Sequence, residues 1–308
     1  MRKGLVIKST GSWYYVKDTD DNVVPCKIKG TYRIKGIRAT NPVAVGDHVQ
    51  FELTDSGNGI ISHIGERKNY IIRRAANLSK EYQLIAANID QAVLMVSLVN
   101  PKTHLAFIDR FLVSAEAFRI PVVLVFNKTD IYNEVEISEM EALAAMYDMI
   151  GYTVLSISVK EGTNMDRTEQ LFANKVSVVT GNSGVGKTTL LNHLDTSLDL
   201  KTREVSAYHK SGQHTTTYAE MFFLPGNARI IDTPGIKGFG MVDIAREELF
   251  HFFPEIFNVS QDCKFHNCMH ENEPDCAVIK AVKDNRISVS RYINYLNLLE
   301  DMGDKYRK

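Results

Sequence analysis

The sequence predicts a multidomain protein in which an all-β barrel, an α/β unit with a parallel sheet and a mostly helical unit follow one another. Three observations predict this order. Residues 1–77 hold about five short strand-like segments separated by turn residues. Residues 78–245 alternate near-continuous apolar strands with segments of helical spacing, and residues 246–308 combine helical spacing with three clustered cysteines. We therefore expect domain boundaries near residues 77 and 245.

Composition and charge are those of an ordinary globular protein with one basic end. The 308 residues carry 36 Lys and Arg against 37 Asp and Glu, so the formal net charge is −1. Residues 1–77 carry 13 basic against 7 acidic side chains, hence +6, and the remainder carries 23 against 30, hence −7. This asymmetry suggests contact with a polyanion, although a solvated surface with extra lysines explains it equally well. Apolar runs are too short for a membrane span and a secretory signal is not visible, so we expect a cytoplasmic protein without a membrane partner. We also expect a monomer.

The N-terminal segments fit a small barrel of the OB-fold type. They span residues 4–8, 13–17, 23–28, 46–53 and 59–64. Such barrels commonly bind single-stranded nucleic acid through basic side chains and stacked aromatic rings. The better candidates for this contact are Lys27, Lys29, Arg33, Lys35 and Arg38. The aromatic candidates Trp13, Tyr14, Tyr15 and Tyr32 are weaker, because strand alternation must bury at least one member of the 13–15 run.

One segment of the central unit matches the phosphate-binding loop G-x-x-x-x-G-K-[ST]. It comprises Gly181, Asn182, Ser183, Gly184, Val185, Gly186, Lys187 and Thr188, and Thr189 follows it. An apolar strand leads into it and helical spacing leads out. In such a loop, backbone N–H groups hold the phosphates, Lys187 reaches the β- and γ-phosphates, and the Thr188 hydroxyl binds Mg²⁺. The match indicates a nucleoside triphosphate site with Mg²⁺.

Two further motifs predict that the base is guanine. The N-K-x-D motif, formed by Asn127, Lys128, Thr129 and Asp130, directly follows an apolar strand. A carboxylate at position 130 can accept both the N1–H and the N2–H₂ donors of guanine, and adenine lacks that pair. The segment 156–160 looks like the S-A-K loop that braces guanine through backbone N–H groups, with Ser158, Val159 and Lys160 as its candidates. The nucleotide is therefore predicted to be GTP.

The D-x-x-G motif at residues 232–235 predicts the γ-phosphate side of the site. Asp232 would coordinate Mg²⁺ through water, and the Gly235 N–H would meet the γ-phosphate. Thr216, with Thr215 as the alternative, stands where a switch threonine would bind Mg²⁺.

Catalysis departs from the Ras pattern at one position. Ras-like enzymes carry a glutamine after D-x-x-G to orient the attacking water, and this chain has Ile236. His214 is the candidate substitute. We therefore expect slow intrinsic hydrolysis that a partner stimulates.

The order of these motifs along the chain is unusual. The N-K-x-D motif and the S-x-K segment come before the phosphate loop, whereas Ras-like GTPases carry them after D-x-x-G. The same pocket can form if the former chain ends were joined and the chain was opened elsewhere, since domain termini often lie close together. The central unit is thus predicted to be a circularly permuted P-loop GTPase domain.

The C-terminal unit carries a cluster of metal-ligand residues: Cys263, Cys268, His270 and Cys276. A Cys₃His set within fourteen residues suits one structural, tetrahedral Zn²⁺ whose four positions are all filled by protein. His266 is the rival ligand, and unligated cysteines in a packed loop are the alternative. Basic residues of this unit could touch RNA, although such residues on a helix are usually solvated; they are Lys280, Lys283, Arg286 and Arg291.

Together these features resemble the RsgA (YjeQ) family, the circularly permuted bacterial GTPases that depend on the small ribosomal subunit. The resemblance covers nearly the whole chain and rests on residues 127–130, 181–188, 212–217 and 232–235 and on the Cys/His spacing. It implies binding to the small ribosomal subunit and its rRNA, hydrolysis of GTP to GDP and phosphate under stimulation by that subunit, and a role in its late maturation. Two alternatives stay open: an RNA-binding assembly factor for which GTP is mainly a ligand, and a permuted GTPase that acts on another ribonucleoprotein.

Overall fold

The computed structural model describes residues 1–29, 42–74, 82–198, 219–232 and 244–304. Several predicted residues lie outside these ranges. In the barrel they are Tyr32, Arg33, Lys35 and Arg38, and around the nucleotide site they are His214, Thr215, Thr216, Gly235 and Ile236. The roles of these residues stay predictions.

Thirteen strands lie within the described ranges. They are β1 (Arg2–Ser9), β2 (Tyr14–Asp18), β3 (Val23–Ile28), β4 (His48–Leu53), β5 (Gly59–Ile64), β6 (Tyr70–Arg74), β7 (Tyr82–Ala87), β8 (Gln91–Val96), β9 (Val122–Phe126), β10 (Thr153–Ser156), β11 (Val176–Gly181), β12 (Glu220–Leu224) and β13 (Ala228–Asp232). The same ranges hold the α-helices α1 (Leu105–Ala117), α2 (Glu134–Ile150), α3 (Met165–Phe172), α4 (Lys187–Leu194), α5 (Pro254–Ser260), α6 (Ala277–Lys283) and α7 (Val289–Asp304). None of these helices combines the length and the apolarity that crossing a bilayer requires.

The first five strands close into a barrel. The strand β1 pairs with β2 and β4, β2 pairs with β3, and β5 joins β3 to β4. Strand alternation sends Tyr14 and Val16 into the barrel core, where they meet Phe51 and Ile61. The prediction that one aromatic of the 13–15 run is core is therefore confirmed for Tyr14, and the five-stranded OB-like barrel is confirmed as well.

The central sheet has the strand order β10-β9-β8-β11-β13-β12. Its strands are parallel except β12, which pairs antiparallel with β13. Every residue of β8 and β9 is buried, as expected for parallel strands covered on both faces.

Two hydrophobic cores cover the two faces of this sheet. Alternate residues of β8 divide between them: Leu94 packs in the core that α1 and α2 share, and Val93 packs in the core that α3 and α4 share. Period-2 alternation along a strand therefore places neighbouring residues in different cores. This layered arrangement confirms the predicted α/β unit.

The barrel and the central sheet join edge to edge. Strand β1 pairs with β12 at Lys8 and Glu220, which makes one sheet of eleven strands. The Lys8 ammonium also lies 3.0 Å from the Glu220 carboxylate. The separate hairpin of β6 and β7 packs closely on the barrel, because a Cβ at Gly46 would lie 2.1 Å from the Ala87 carbonyl oxygen. The barrel is thus bonded to the central sheet on one side and packed against the hairpin on another.

The C-terminal unit consists of a 3₁₀ segment, Arg246–Phe252, and the helices α5, α6 and α7. Its core includes Leu249, Phe253 and Tyr295 together with Val113, a residue of α1 from the central unit. A side chain from the central unit therefore completes the core of the C-terminal unit.

Arg291 differs from the prediction. It was a candidate for RNA contact, but its side chain is 0% exposed. Its guanidinium lies 2.7 Å from the Asp109 carboxylate of α1 and 2.7 Å from the Glu255 carboxylate of α5. Two carboxylates from different units hold this cation in the interior, so it is not available to RNA.

Candidate nucleotide and metal sites

The predicted nucleotide residues collect at one edge of the central sheet. Asn127 follows β9, Ser158 follows β10, the phosphate loop follows β11, and Asp232 ends β13. These strands are parallel, so their carboxyl ends lie side by side, where open α/β sheets hold their ligands. The edge brings together motifs that are far apart in the chain.

The phosphate loop runs from Gly181 at the end of β11 to Lys187 at the start of α4. Two of its glycines are required by close approaches. A Cβ at Gly186, where φ is +105°, would lie 2.3 Å from the Asn127 amide nitrogen. A Cβ at Gly181, where φ is +146°, would lie 2.3 Å from the Met95 carbonyl oxygen. Glycine at these positions therefore lets the loop lie against the ends of β8 and β9.

Lys187 is folded back over this loop. Its ammonium donates to the carbonyl oxygens of Gly181 at 2.7 Å and Asn182 at 2.8 Å. Burial lowers the pKa of Lys187 to about 8, and the nearby Asp232 carboxylate opposes that shift. The lysine is thus a partly desolvated cation beside the loop amides, and it can exchange the two carbonyls for phosphate oxygens. Thr188 follows it as a half-buried residue in the first turn of α4.

The Asn127 side chain connects three of the predicted motifs. It is buried, and its amide donates to the Val185 carbonyl in the phosphate loop at 2.8 Å. Its carbonyl oxygen accepts from the Val159 N–H in the S-x-K segment at 3.3 Å. One carboxamide therefore holds the N-K-x-D turn, the phosphate loop and the S-x-K segment together.

The Asp130 carboxylate is oriented by Ser158, whose hydroxyl donates to it at 2.6 Å. That hydroxyl also accepts from the Glu161 N–H at 3.1 Å. The S-x-K segment is predicted to brace guanine through its backbone N–H groups, and that role stays a prediction. The N–H of Ser158 donates to the Thr163 carbonyl, and that of Val159 donates to Asn127. The serine side chain is what meets the carboxylate predicted to bind the base.

The remaining base-side candidates differ in exposure. Thr129 donates its hydroxyl to the Ile157 carbonyl at 3.1 Å. Lys128 takes a left-handed backbone conformation with φ of +70° and donates to the Asn100 carbonyl, and burial lowers its pKa. Lys160 is largely exposed beside Glu161. The stem of Lys128, rather than that of Lys160, is the one held near the pocket.

The loop at residues 97–103, which follows β8, was not among the predicted site residues. Thr103 accepts from the Asn182 amide at 3.4 Å and from the Ser97 N–H at 3.2 Å. This loop also supplies the carbonyl that Lys128 binds. It begins at the same sheet edge as the predicted motifs, so the strand-end rule is the signal that could have found it.

The four predicted metal ligands form one cluster, and all their ligand atoms lie within 4.8 Å of one another. The Cys263 and Cys276 sulfurs are 3.9 Å apart, and they lie 3.6 and 3.4 Å from His270 Nδ1. A tetrahedral ion with bonds of about 2.3 Å to sulfur and about 2.0 Å to nitrogen requires separations of about 3.8 Å and about 3.5 Å. The cluster therefore fits a tetrahedral metal ion through Nδ1, and His266 is not part of it.

The surroundings of the cluster hold its ligands in place. The Glu273 carboxylate accepts from the N–H groups of Met269 at 2.6 Å and Glu271 at 2.9 Å, and Tyr292 donates to the His270 carbonyl at 2.6 Å. Burial raises the pKa of Cys268 to about 12 and lowers the pKa of His270. A cation at the centre would offset the cost of burying charged thiolates, because metal binding favours deprotonated sulfur.

In comparison with known proteins, family models match most of the chain. The family model described as RsgA GTPase matches residues 64–242, and the model described as RsgA N-terminal domain matches residues 3–61. A relative from Bacteroides thetaiotaomicron, named small ribosomal subunit biogenesis GTPase RsgA 2, is 55% identical over 306 residues, which cover 99% of each chain. A relative from Christiangramia forsetii, named small ribosomal subunit biogenesis GTPase RsgA, is 52% identical over 308 residues, 99% of this chain and 98% of its own.

Two solved structures share the whole architecture. YjeQ from Thermotoga maritima is 31% identical with a TM-score of 0.78, and the match covers 98% of each chain. YloQ, described as a circularly permuted GTPase, is 32% identical with a TM-score of 0.76, and the match covers 98% of this chain and 95% of the other. The predicted permutation is confirmed by this likeness and by the meeting of the reordered motifs at one sheet edge. The chain belongs to the RsgA GTPase family.

Proposed function

We propose that this GTP hydrolase binds the small ribosomal subunit, is stimulated by it to convert GTP to GDP and phosphate, and acts in late maturation of that subunit. The observation that carries the nucleotide part is the Asn127 carboxamide, which ties the guanine motif to the phosphate loop. The subunit part rests on the names of relatives that are more than half identical over nearly the full chain.

The proposed nucleotide site assigns each motif a role. The loop amides of residues 181–188 and the Lys187 ammonium bind the phosphates. Thr188 and, through water, Asp232 hold Mg²⁺, which would neutralise charge between the β- and γ-phosphates. Asp130 reads the guanine edge, and the Lys128 stem covers the base. Thr216 would bind Mg²⁺, the Gly235 N–H would meet the γ-phosphate, and His214 would orient the attacking water.

The proposed metal is one structural Zn²⁺ per chain. Three thiolates and one imidazole nitrogen match zinc in ligand type, and the separations between ligand atoms match zinc in size. All four positions are filled by protein, so the ion would stabilise the C-terminal unit rather than activate water.

The proposed contact with rRNA involves the barrel. A cleft of about 560 Å³ lies where the barrel meets the central sheet, and its lining includes Lys3, His48 and Arg229. It also includes Asp18 and Asp21, the second of which pairs with Lys17 at 3.0 Å. Lys27, one of the predicted RNA candidates, lies over the Trp13 ring at 4.5 Å. Basic groups and an aromatic ring on a barrel are the elements that bind a phosphate backbone and unpaired bases.

The test is GTP turnover by the purified protein with small subunits, with large subunits or alone. We expect turnover to rise only with small subunits. Stimulation by large subunits alone would contradict the proposed partner. Tight GTP binding without stimulation by either subunit would favour the alternative of an assembly factor that uses GTP mainly as a ligand.

A further inference from the structure

Tyr132 lies at the end of the guanine-motif turn, one residue beyond the 3₁₀ segment Thr129–Ile131. Its side chain is 8% exposed and packs in the core between α1, α2 and the sheet. Its hydroxyl lies 2.8 Å from the Asn127 carbonyl oxygen, 2.9 Å from the Leu98 backbone nitrogen and 3.1 Å from Ser97 Oγ. Because a carbonyl can only accept and an N–H can only donate, the hydroxyl donates to Asn127 and accepts from Leu98.

This hydroxyl joins two strand-end loops that are separated along the chain by α1 and β9. On one side is the Asn127–Asp130 turn predicted to recognise guanine. On the other side is the 97–103 loop, which accepts a hydrogen bond from Lys128 at Asn100 and contacts the phosphate loop through Thr103. The hydroxyl therefore lies between the loop predicted to bind the base and the loop that contacts the phosphate-binding segment.

We propose that Tyr132 is a positioning residue for guanine recognition, because its hydroxyl fixes the backbone of the Asn127–Asp130 turn against the 97–103 loop. This inference rests on the proposed function of the site. The tyrosine acts through Asn127 and Asp130 and does not itself read the base. Burial raises the pKa of Tyr132, so the hydroxyl keeps the proton that it donates to Asn127 near neutral pH.

The variant Tyr132→Phe removes the hydroxyl and keeps the ring in the core. It leaves the Leu98 N–H and the Asn127 carbonyl without this partner, and an unpaired buried group is costly enough to move a turn. We expect Kd for GDP to rise about tenfold. We also expect the preference for GDP over IDP to shrink, because inosine lacks the 2-amino group that Asp130 would bind and loses less when the turn loosens.

The experiment uses the full chain and measures Kd for GDP and for inosine diphosphate (IDP). It also measures KM and kcat of GTP turnover in the presence of small ribosomal subunits. The matched control is Tyr152→Phe, which removes the hydroxyl of another buried tyrosine of the same unit that lies near Glu116. In Tyr132→Phe, KM should rise while kcat at saturating GTP stays within about twofold. In the control, nucleotide binding should not change even if the midpoint of thermal unfolding falls.

Ser97→Ala removes another group beside the same hydroxyl and gives a second route to the test. Ser97→Ala should also reduce the preference for GDP over IDP, but by less than Tyr132→Phe does. Unchanged Kd values in Tyr132→Phe would overturn the inference. So would equal weakening of GDP and IDP, since that pattern indicates a general loss of structure. A wild-type protein that does not prefer GDP over IDP would instead remove the proposed guanine site, and the positioning role with it.

Discussion

At the scale of single residues, Lys187 meets two opposing requirements. It must be charged to bind phosphates, yet its burial in the loop disfavours the charged form and lowers its pKa to about 8. In this structure the Lys187 ammonium donates its hydrogen bonds to the carbonyl oxygens of Gly181 and Asn182. Nucleotide affinity should therefore depend on pH in the mildly alkaline range.

We expect Kd for GDP to rise between pH 7 and pH 9, with most of the change above pH 8. Phosphate oxygens raise the pKa of the lysine in the complex, so binding above pH 8 requires proton uptake, and the limiting slope is about tenfold per pH unit. The pH dependence of folding stability has the opposite sign to that of nucleotide affinity. The folded pKa lies below the ordinary lysine value of 10.5, so this group makes the nucleotide-free protein more stable as pH rises from about 8 towards 10.5.

Titration of a labelled GDP analogue across that pH range measures the effect. The control is Lys187→Arg, which weakens binding but keeps its charge throughout, so its Kd should vary little with pH. A wild-type Kd that stays constant up to pH 9 would contradict the lowered pKa.

Asp130→Asn should exchange guanine for xanthine specificity. Xanthine carries a carbonyl where guanine carries the 2-amino group, so an amide donor at position 130 suits xanthine and clashes electrostatically with guanine. The Ser158 hydroxyl can still donate to the amide oxygen, as it donates to the Asp130 carboxylate now. We expect GDP binding to weaken at least about hundredfold while XDP binding improves, measured as the two Kd values for variant and wild type. Loss of both nucleotides would indicate collapse of the turn instead.

At the scale of secondary-structure elements, the helix α1 connects the central and C-terminal units. Its Asp109 accepts from Arg291 of α7 and from Tyr147 of α2, and its Val113 enters the C-terminal core. The Arg291 guanidinium also stacks 4.6 Å from the centre of the Phe253 ring. A buried cation with two carboxylate partners from different elements fixes how α1, α5 and α7 are placed.

Arg291→Met should destabilise the protein by about 3–5 kcal/mol, because it leaves the Asp109 and Glu255 carboxylates buried near one another without their cation. The matched control is Arg110→Met, since Arg110 of α1 pairs with Asp301 of α7 at the surface. That change should cost no more than about 1 kcal/mol. Urea unfolding followed by circular dichroism measures both, and equal costs for the two variants would show that the buried network is not what fixes these helices.

At the scale of the whole molecule, its parts are joined by backbone pairing and shared packing. Strand β1 of the barrel continues the central sheet through β12, and the cysteine cluster lies in a unit whose core includes a residue of α1. The loss of stability caused by removing the metal should therefore extend beyond the loop that carries the ligands.

Removal of the metal by a strong chelator should release about one zinc per chain and lower the midpoint of thermal unfolding. Cys268→Ser should have the same effect. Cys26→Ser is the control, because Cys26 is buried in the barrel outside the cluster, and burial raises its pKa to about 11. That variant should keep its zinc, as measured by elemental analysis, whereas equal zinc loss in both variants would argue against the assigned ligands.

The sequence by itself was enough to predict the local chemistry of the site. The phosphate loop, the N-K-x-D motif and the Cys/His spacing each occupy a short stretch, so residue type and spacing are enough to recognise them. The circular permutation can also be predicted from sequence, because it shows in the order of the motifs along the chain. The domain boundaries near residues 77 and 245 stay predictions.

Only the tertiary structure decided which of these stretches touch. Asn127 meets Val185 and Tyr132 meets Leu98 because β9, β8 and β11 are consecutive parallel strands that end at the same edge of the sheet. Arg291 reads as a surface cation in sequence, and it is buried because Asp109 stands 182 positions away on a helix of another unit. Contacts of this kind depend on strand order and helix packing, which are set by burial across the whole chain rather than by any local pattern.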